Sequence, residues 1–435
     1  VLSSIITRAA VTDSLESVTA IDHDAEIDPD AVGVDPAAVE GIWSAVERLY
    51  RSGIHPAIQL CIRRRGEVIL DRAIGYARGG GPHDSPDTRK TAVTTRTPFN
   101  IFSASKAVTA MVIHLLDQKH LIHLDDPVCE YIPEFSAAGK EWITIRHVLT
   151  HRSGIPNIPP EAMKLDYLSQ PGEVIRLLCE TEPMWRAGRQ LAYHAISGGF
   201  VLGEVVRRVT GSTIRSVLQR EILGPLGFRW MNYGVARKDI RRVALNYFTG
   251  PPILPPVSML LRRVLGVDFV EVAELSNDPR FMTAIVPAGT IMSTANELSR
   301  FYQLLLNGGE LDGIRIFEPR TVRRATSEQS YFEFDLTLGM PVRYGMGFML
   351  GGRWLSFYGP DTSRAFGHVG FINIFSWADP VSQISVALMT SGKPLLYLEM
   401  LSLSEIVRCI SRACPKESAK DAPSADYSRT LYGVR

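Results

Sequence analysis

Phe99-Asn100-Ile101-Phe102-Ser103-Ala104-Ser105-Lys106 carries the strongest local signal in the chain. It stands where the pattern turns helical, ahead of Val108, Met111, Val112 and Leu115. Of nine lysines, only Lys106 has a serine three positions before it. At i and i+3 on a helix the two side chains share one face. A serine hydroxyl is a poor nucleophile until a neighbour accepts its proton. A lysine held in apolar surroundings supplies such a neighbour, its pKa falling from about 10.4 toward roughly 7–8. The helix N-terminus adds a positive partial charge and free N–H groups for a developing oxyanion. By itself, the pair also fits a capping serine followed by a solvent-facing lysine.

Outward from this octet, residues 1–34 read as an acidic, poorly periodic N-terminal arm. Asp35-Pro36 opens a helix, aspartate as cap and proline at the first helical position. Ile58–Ile62 and Val68–Leu70 form a hairpin around Arg65-Gly66. A long helix is predicted from about Ser105 to Lys119, and the pattern to 245 is mostly helical. Segment 246–285, with Pro251-Pro252, Pro255-Pro256 and Met259-Leu260-Leu261, suits a lid or insertion better than a core helix. Strand signals return at Tyr344–Leu350, Trp354–Tyr358, Ile372–Trp377 and Ile384–Met389, and an amphipathic helix closes at Leu398–Ala413. The polar tail 415–435 reads as disordered. The fold class is therefore α/β. Strands at both ends with helices between suggest an antiparallel sheet built from both termini (35–98 and 287–414) and flanked by helices, with a mainly helical domain (99–286) inserted.

Composition narrows the function. The 435 residues include 47 Lys+Arg against 46 Asp+Glu, a formal charge of +1, so no field attracts a nucleic acid. Arg63-Arg64-Arg65 and Arg207-Arg208 read as solvated faces. Five cysteines without a C-x-x-C pair suggest reduced thiols. No secretory h-region opens the sequence and no apolar run reaches the roughly 20 residues of a membrane span. A soluble, cytoplasmic enzyme needing no cofactor is the expectation, its oligomeric state open. His147 and His151 are four apart, yet Val148 stands where a zincin needs glutamate, so no metal site is expected. No G-x-S-x-G elbow occurs, and Gly345-x-Gly347 is no nucleotide fingerprint.

Ser103-x-x-Lys106, Tyr193-His194-Ala195 and Gly367-His368-Val369-Gly370 follow one another in an order that resembles the serine β-lactamase-like family. That family includes class C β-lactamases, DD-peptidases and family VIII carboxylesterases. Leu124–Val128, Tyr131–Phe135, Ile145–Gly154, Pro287–Thr294 and Tyr344–Phe348 resemble its linking motifs, so the likeness spans about 37 to 412. It implies the β-lactamase/transpeptidase-like fold, Ser103 as acylated nucleophile, Lys106 as its proton-sharing partner and Tyr193 as general base. It also implies an oxyanion hole from the N–H groups of Ser103 and Phe371, beside Gly367, His368 and Gly370. Two departures bear on substrate: Ala195 replaces an asparagine that contacts acylamino groups, and His368 replaces a lysine that attracts carboxylates. An imidazole is mostly neutral at pH 7. Both favour small uncharged esters, as in the carboxylesterase branch, with short to medium acyl chains as the default. β-Lactam or D-amino-acid peptide hydrolysis, acyl transfer and a non-catalytic scaffold are the alternatives.

Overall fold

The computed structural model describes residues 6–416 apart from 86, 266, 267, 372, 396 and 397. Its centre is an antiparallel sheet drawn from both ends of the chain. The strands are β1 (Thr19–Ile21), β2 (Ala57–Arg64), β3 (Glu67–Arg78), β4 (Met349–Leu350), β5 (Phe366–Gly370), β6 (Ile374–Asp379) and β7 (Ile384–Thr390). They lie in the order β1-β3-β2-β7-β6-β5-β4, with Thr91–Ala92 pairing beside β3. The β2–β3 hairpin turns at Arg65-Gly66, both at positive φ as a tight two-residue turn demands. The join between termini is β2 against β7, from Ile58 opposite Thr390 to Arg64 opposite Ile384.

Side chains alternate across β2 with the strand period of two. Ile58, Leu60 and Ile62 enter one core with helices α1 (Pro36–Arg51) and Glu399–Ala413, which pack on each other. Ala57 and Cys61 enter the other, where Ala295–Leu306 lies across β2, β6 and β7. Asp35 caps α1 by accepting from Ala37 N at 2.9 Å, with Pro36 at the first helical position.

Helix α2 (Ser105–Gln118) is buried all round from Ser105 to Asp117. A helix apolar on every side belongs inside a protein. The chain enters it through Phe99–Asn100, which pairs with Ile291–Ser293, itself paired with Asn232–Tyr233. Ser103 is therefore delivered by a small sheet at one end and a buried helix at the other.

Several elements depart from the sequence reading. The described part of the N-terminal arm is docked: β1 extends the sheet, and Leu15, Val18, Val32 and Val34 are buried. Trp354–Tyr358 forms no strand, and Trp354 is 85% exposed. Gly351-Gly352 and Gly359-Pro360 punctuate that stretch, so its aromatic residues do not alternate across a sheet. Tyr344–Leu350 keeps only Met349–Leu350 as strand, because Gly345–Gly347 turns back and Gly345 N donates to Phe348 O at 2.9 Å. Arg63 and Arg64 are not a solvated face. Arg63 donates to Ser299 and Asn296, and Arg64 is buried with a bond to Pro415 O.

Segment 246–285 holds three short helices, Val257–Leu265, Phe269–Leu275 and Pro279–Thr283. Residues 417–435, most of the expected disordered tail, lie outside the described residues. Among the described residues no helix is long and apolar enough to cross a membrane, and all five cysteines are free thiols.

Candidate active site

The turn before α2 sets the geometry. Ile101 N donates to Ile291 O at 2.9 Å, and Asn100 Oδ1 accepts from Phe102 N at 2.8 Å. Phe102 is thereby held at φ 46°, a left-handed conformation that bulky residues rarely adopt and that costs energy. One helical turn on, Lys106 Nζ donates to Ser103 Oγ at 3.0 Å and to Ala288 O at 3.1 Å. Lys106 is 9% exposed, which disposes of the solvent-facing alternative. Burial alone pushes its pKa down to about 7, because taking an ammonium out of water penalises the charged form.

Tyr193 completes a triangle. Burial pushes the pKa of its hydroxyl upward, and Ser103 nearby works against that. Lys106 Nζ lies 4.7 Å from the centre of its ring. The backbone of Tyr193 is pinned by Asp335, whose Oδ1 accepts from Tyr193 N at 3.0 Å and from Thr337 N and Leu338 N at 2.9 Å each. The Tyr344 hydroxyl donates to the other oxygen at 3.2 Å.

Three imidazoles surround the triangle. His151, at φ 59°, packs on Tyr193 with ring centres 4.7 Å apart and accepts from His194 N at 3.1 Å. His194 bonds through Nε2 to Ser153 Oγ. His368 lies 6.3 Å from Tyr193, ring to ring. Its Nδ1 is 2.8 Å from Val369 O, and a carbonyl only accepts, so Nδ1 bears the proton and Nε2 is left as an acceptor. Burial first, then Lys106, push His368 down to about 3. Burial likewise holds His194 at about 4 and His151 well below its ordinary value. All three are neutral at pH 7.

Strand β5 brings the last components. A Cβ on Gly370 would stand 2.2 Å from Ile101 O, so only glycine lets the strand end lie against the Ser103 turn. On Gly367 it would meet Ser376 O at 2.2 Å. Phe371 follows at φ 37°. Its ring stacks on Phe102 at 5.0 Å and on Phe269 at 4.6 Å.

Ser103, Lys106, Tyr193, His368, Gly370 and Phe371 are thus brought together, whereas Gly367 packs against Ser376 and Trp377 of the neighbouring strand. Ala195 is half-buried against the core beside β2. His147 and His151 part company: His147 closes a capping box with Thr144, and His151 faces the triangle. Sequence reasoning missed Asp335 and Phe269. Neither belongs to a motif, and each reaches the site only through the tertiary fold.

Known proteins resemble this chain in sequence and in fold. A family model described as Beta-lactamase matches residues 44–398. The protein named Esterase/beta-lactamase LipL, from Mycobacterium tuberculosis, is 30% identical over 300 residues, covering 66% of this chain and 68% of its own. A solved family VIII carboxylesterase superposes with TM-score 0.73 at 25% identity, covering 87% of this chain and 99% of that one. A penicillin-binding protein homolog from Caulobacter crescentus gives 0.72 at 25% identity, covering 88% and 99%. On a match that spans most of its length, the chain belongs to the beta-lactamase family.

Proposed function

We propose that the protein is a serine carboxylesterase that hydrolyses small uncharged esters through an acyl-enzyme on Ser103. The observation that carries this reading is Ser103 Oγ at 3.0 Å from a buried Lys106 that burial has brought to about 7. As a free amine, Lys106 takes the serine proton while Oγ bonds to the ester carbon. The carbonyl electron pair moves onto oxygen, where the N–H groups of Ser103 and Phe371 receive it. Collapse expels the alkoxide, which takes a proton from the Tyr193 hydroxyl, and Tyr193 regains one from the Lys106 ammonium. Water then adds to the acyl-enzyme with its proton passing the same way. Ser103 departs protonated, leaving one acid and one alcohol for each ester and water. Burial keeps Tyr193 protonated at neutral pH, so in place of the general-base role that the resemblance implies it serves as the relay, with Lys106 as the base.

The neutral rim supports the substrate class. His368, His151 and His194 offer no positive charge to a substrate carboxylate, and Ala195 offers no amide to an acylamino group. The alternative of β-lactam hydrolysis draws on the name of the mycobacterial relative, and a chromogenic cephalosporin assayed beside the ester tests it. The deciding experiment compares wild type with Ser103→Ala on p-nitrophenyl butyrate. Loss of at least about 10³-fold in kcat from a folded variant is expected. Retained turnover would remove Ser103 from the mechanism, and faster cephalosporin hydrolysis than ester hydrolysis would overturn the substrate class.

A further inference from the structure

Phe102 and Phe371 are both non-glycine residues at positive φ, 46° and 37°. Such conformations persist only where the surroundings over-determine them. Each is tied to one donor of the oxyanion hole read above: Phe371 carries an N–H, and Phe102 immediately precedes Ser103, which carries the other. Their rings stack on each other, centres 5.0 Å apart and planes 26° apart. Thus the two halves of the hole, one from the turn before α2 and one from the end of β5, are coupled through their side chains.

A third ring joins them from outside both elements. Phe269, the first residue of the helix Phe269–Leu275, is buried and stacks on Phe371 at 4.6 Å with planes 16° apart. Phe248 meets it edge-on at 6.4 Å. Offset and edge-on arrangements of this kind are specific in geometry as well as apolar. Gly370 is already pressed against Ile101 O, so the Phe371 peptide is constrained by backbone on one side and by rings on the other.

We propose that Phe269 is a positioning residue for the oxyanion N–H of Phe371, which makes the helix Phe269–Leu275 a working part of the site. The inference rests on the acyl-enzyme reading of Ser103. It differs from a passive acyl-chain wall in what it alters. A wall changes substrate binding, whereas a positioning ring changes the stabilisation of the tetrahedral state.

The test uses Phe269→Ala and Phe269→Tyr in the full chain, with p-nitrophenyl butyrate and with a p-nitrophenyl alkylphosphonate. The phosphonate forms a P–Oγ bond on the nucleophile and expels p-nitrophenolate, so it reports the same oxyanion hole whichever acyl substrate is natural. Phe269→Ala is expected to lower kcat and the phosphonylation rate together, by about tenfold or more, with KM within about twofold. Phe269→Tyr, which keeps the ring, stays within about threefold of wild type. Should Phe269→Ala fail to fold, Phe269→Leu keeps the bulk without the plane and is expected to lose the same two rates. Unchanged rates, or a change confined to KM, overturn the proposal. Phosphonylation of Ser103 in a wild type that turns over no ester defeats the ester reading alone, and the phosphonylation ratio still decides the role of Phe269. A wild type phosphonylated elsewhere defeats both.

Discussion

Two lysines lie buried around the Ser103 turn, and burial pushes both down to about 7. Both also follow a hydroxyl residue by three positions, Ser103-x-x-Lys106 and Thr390-x-x-Lys393. Lys106 lies on a helix, where that spacing places two side chains on one face, and its Nζ reaches Ser103 Oγ. Lys393 follows the end of β7, where it does not. Its Nζ donates to Thr390 O at 2.7 Å and lies 5.1 Å from the centre of the Phe102 ring, while Thr390 Oγ1 turns to Asn373 O. A lowered pKa is thus a consequence of burial that any enclosed lysine shares. The secondary structure beneath the spacing is what sets one of them, and not the other, against a serine hydroxyl.

The largest expected effect separates the two lysines outright. Lys106→Met lowers kcat on p-nitrophenyl butyrate by about 10²–10⁴-fold, the usual weight of general acid–base catalysis. Lys393→Met keeps it within about threefold. Equal losses in steady-state assays would erase the distinction.

The pH profile sharpens it. The base must be a free amine, so kcat/KM should fall about tenfold per pH unit on the acid side of about 7. That limb should persist unchanged in Lys393→Met. A limb that vanishes with Lys393 would assign the ionisation to the wrong lysine.

A smaller effect probes what Lys106 has and Lys393 lacks, a held tyrosine. Asp335→Ala frees the backbone N–H groups of Tyr193, Thr337 and Leu338, and kcat should drop about tenfold. Asp335→Asn, which still presents an accepting oxygen, should recover most of it. Identical losses in the two variants would mean that the negative charge, not the hydrogen bonds, is what matters.

The smallest effect is on stability. Lys393 has a folded pKa lowered from 10.5 to about 7, so between those values the unfolded chain holds more protons. Stability from this group is therefore lowest below about pH 7 and rises toward 10.5. Lys393→Met should raise the melting temperature by a few degrees at pH 6.5, and the gain should shrink at pH 9. A gain that grows with pH would contradict the sign.

Much of this was legible in the sequence because it is local or ordered. Ser103 and Lys106 share a helical spacing that gains its meaning only beside the later motifs, and the hairpin around Arg65-Gly66 shows in its turn residues. Tyr193 and the Gly367–Gly370 run are recognisable by their order along the chain. What escaped is set at long range. Asp335 finds Tyr193 across 142 positions. Arg63 is taken from solvent by Asn296 and Ser299, which only the folded sheet brings near. Trp354–Tyr358 has strand-forming residues but glycines at both ends, and composition without alternation is no strand. Thr390-x-x-Lys393 is the same lesson reversed, a spacing whose meaning depends on the element that carries it.

On the proposed mechanism Ser103 is acylated with Lys106 as its base. Acid-quenching the enzyme during turnover of p-nitrophenyl butyrate, then mass analysis of its peptides, tests this most directly. One butyryl group is expected on the peptide holding Ser103, formed at a rate that rises with pH through about 7 and collapses in Lys106→Met. A butyryl group on any other residue, or acylation of Ser103 at the wild-type rate without Lys106, would contradict it.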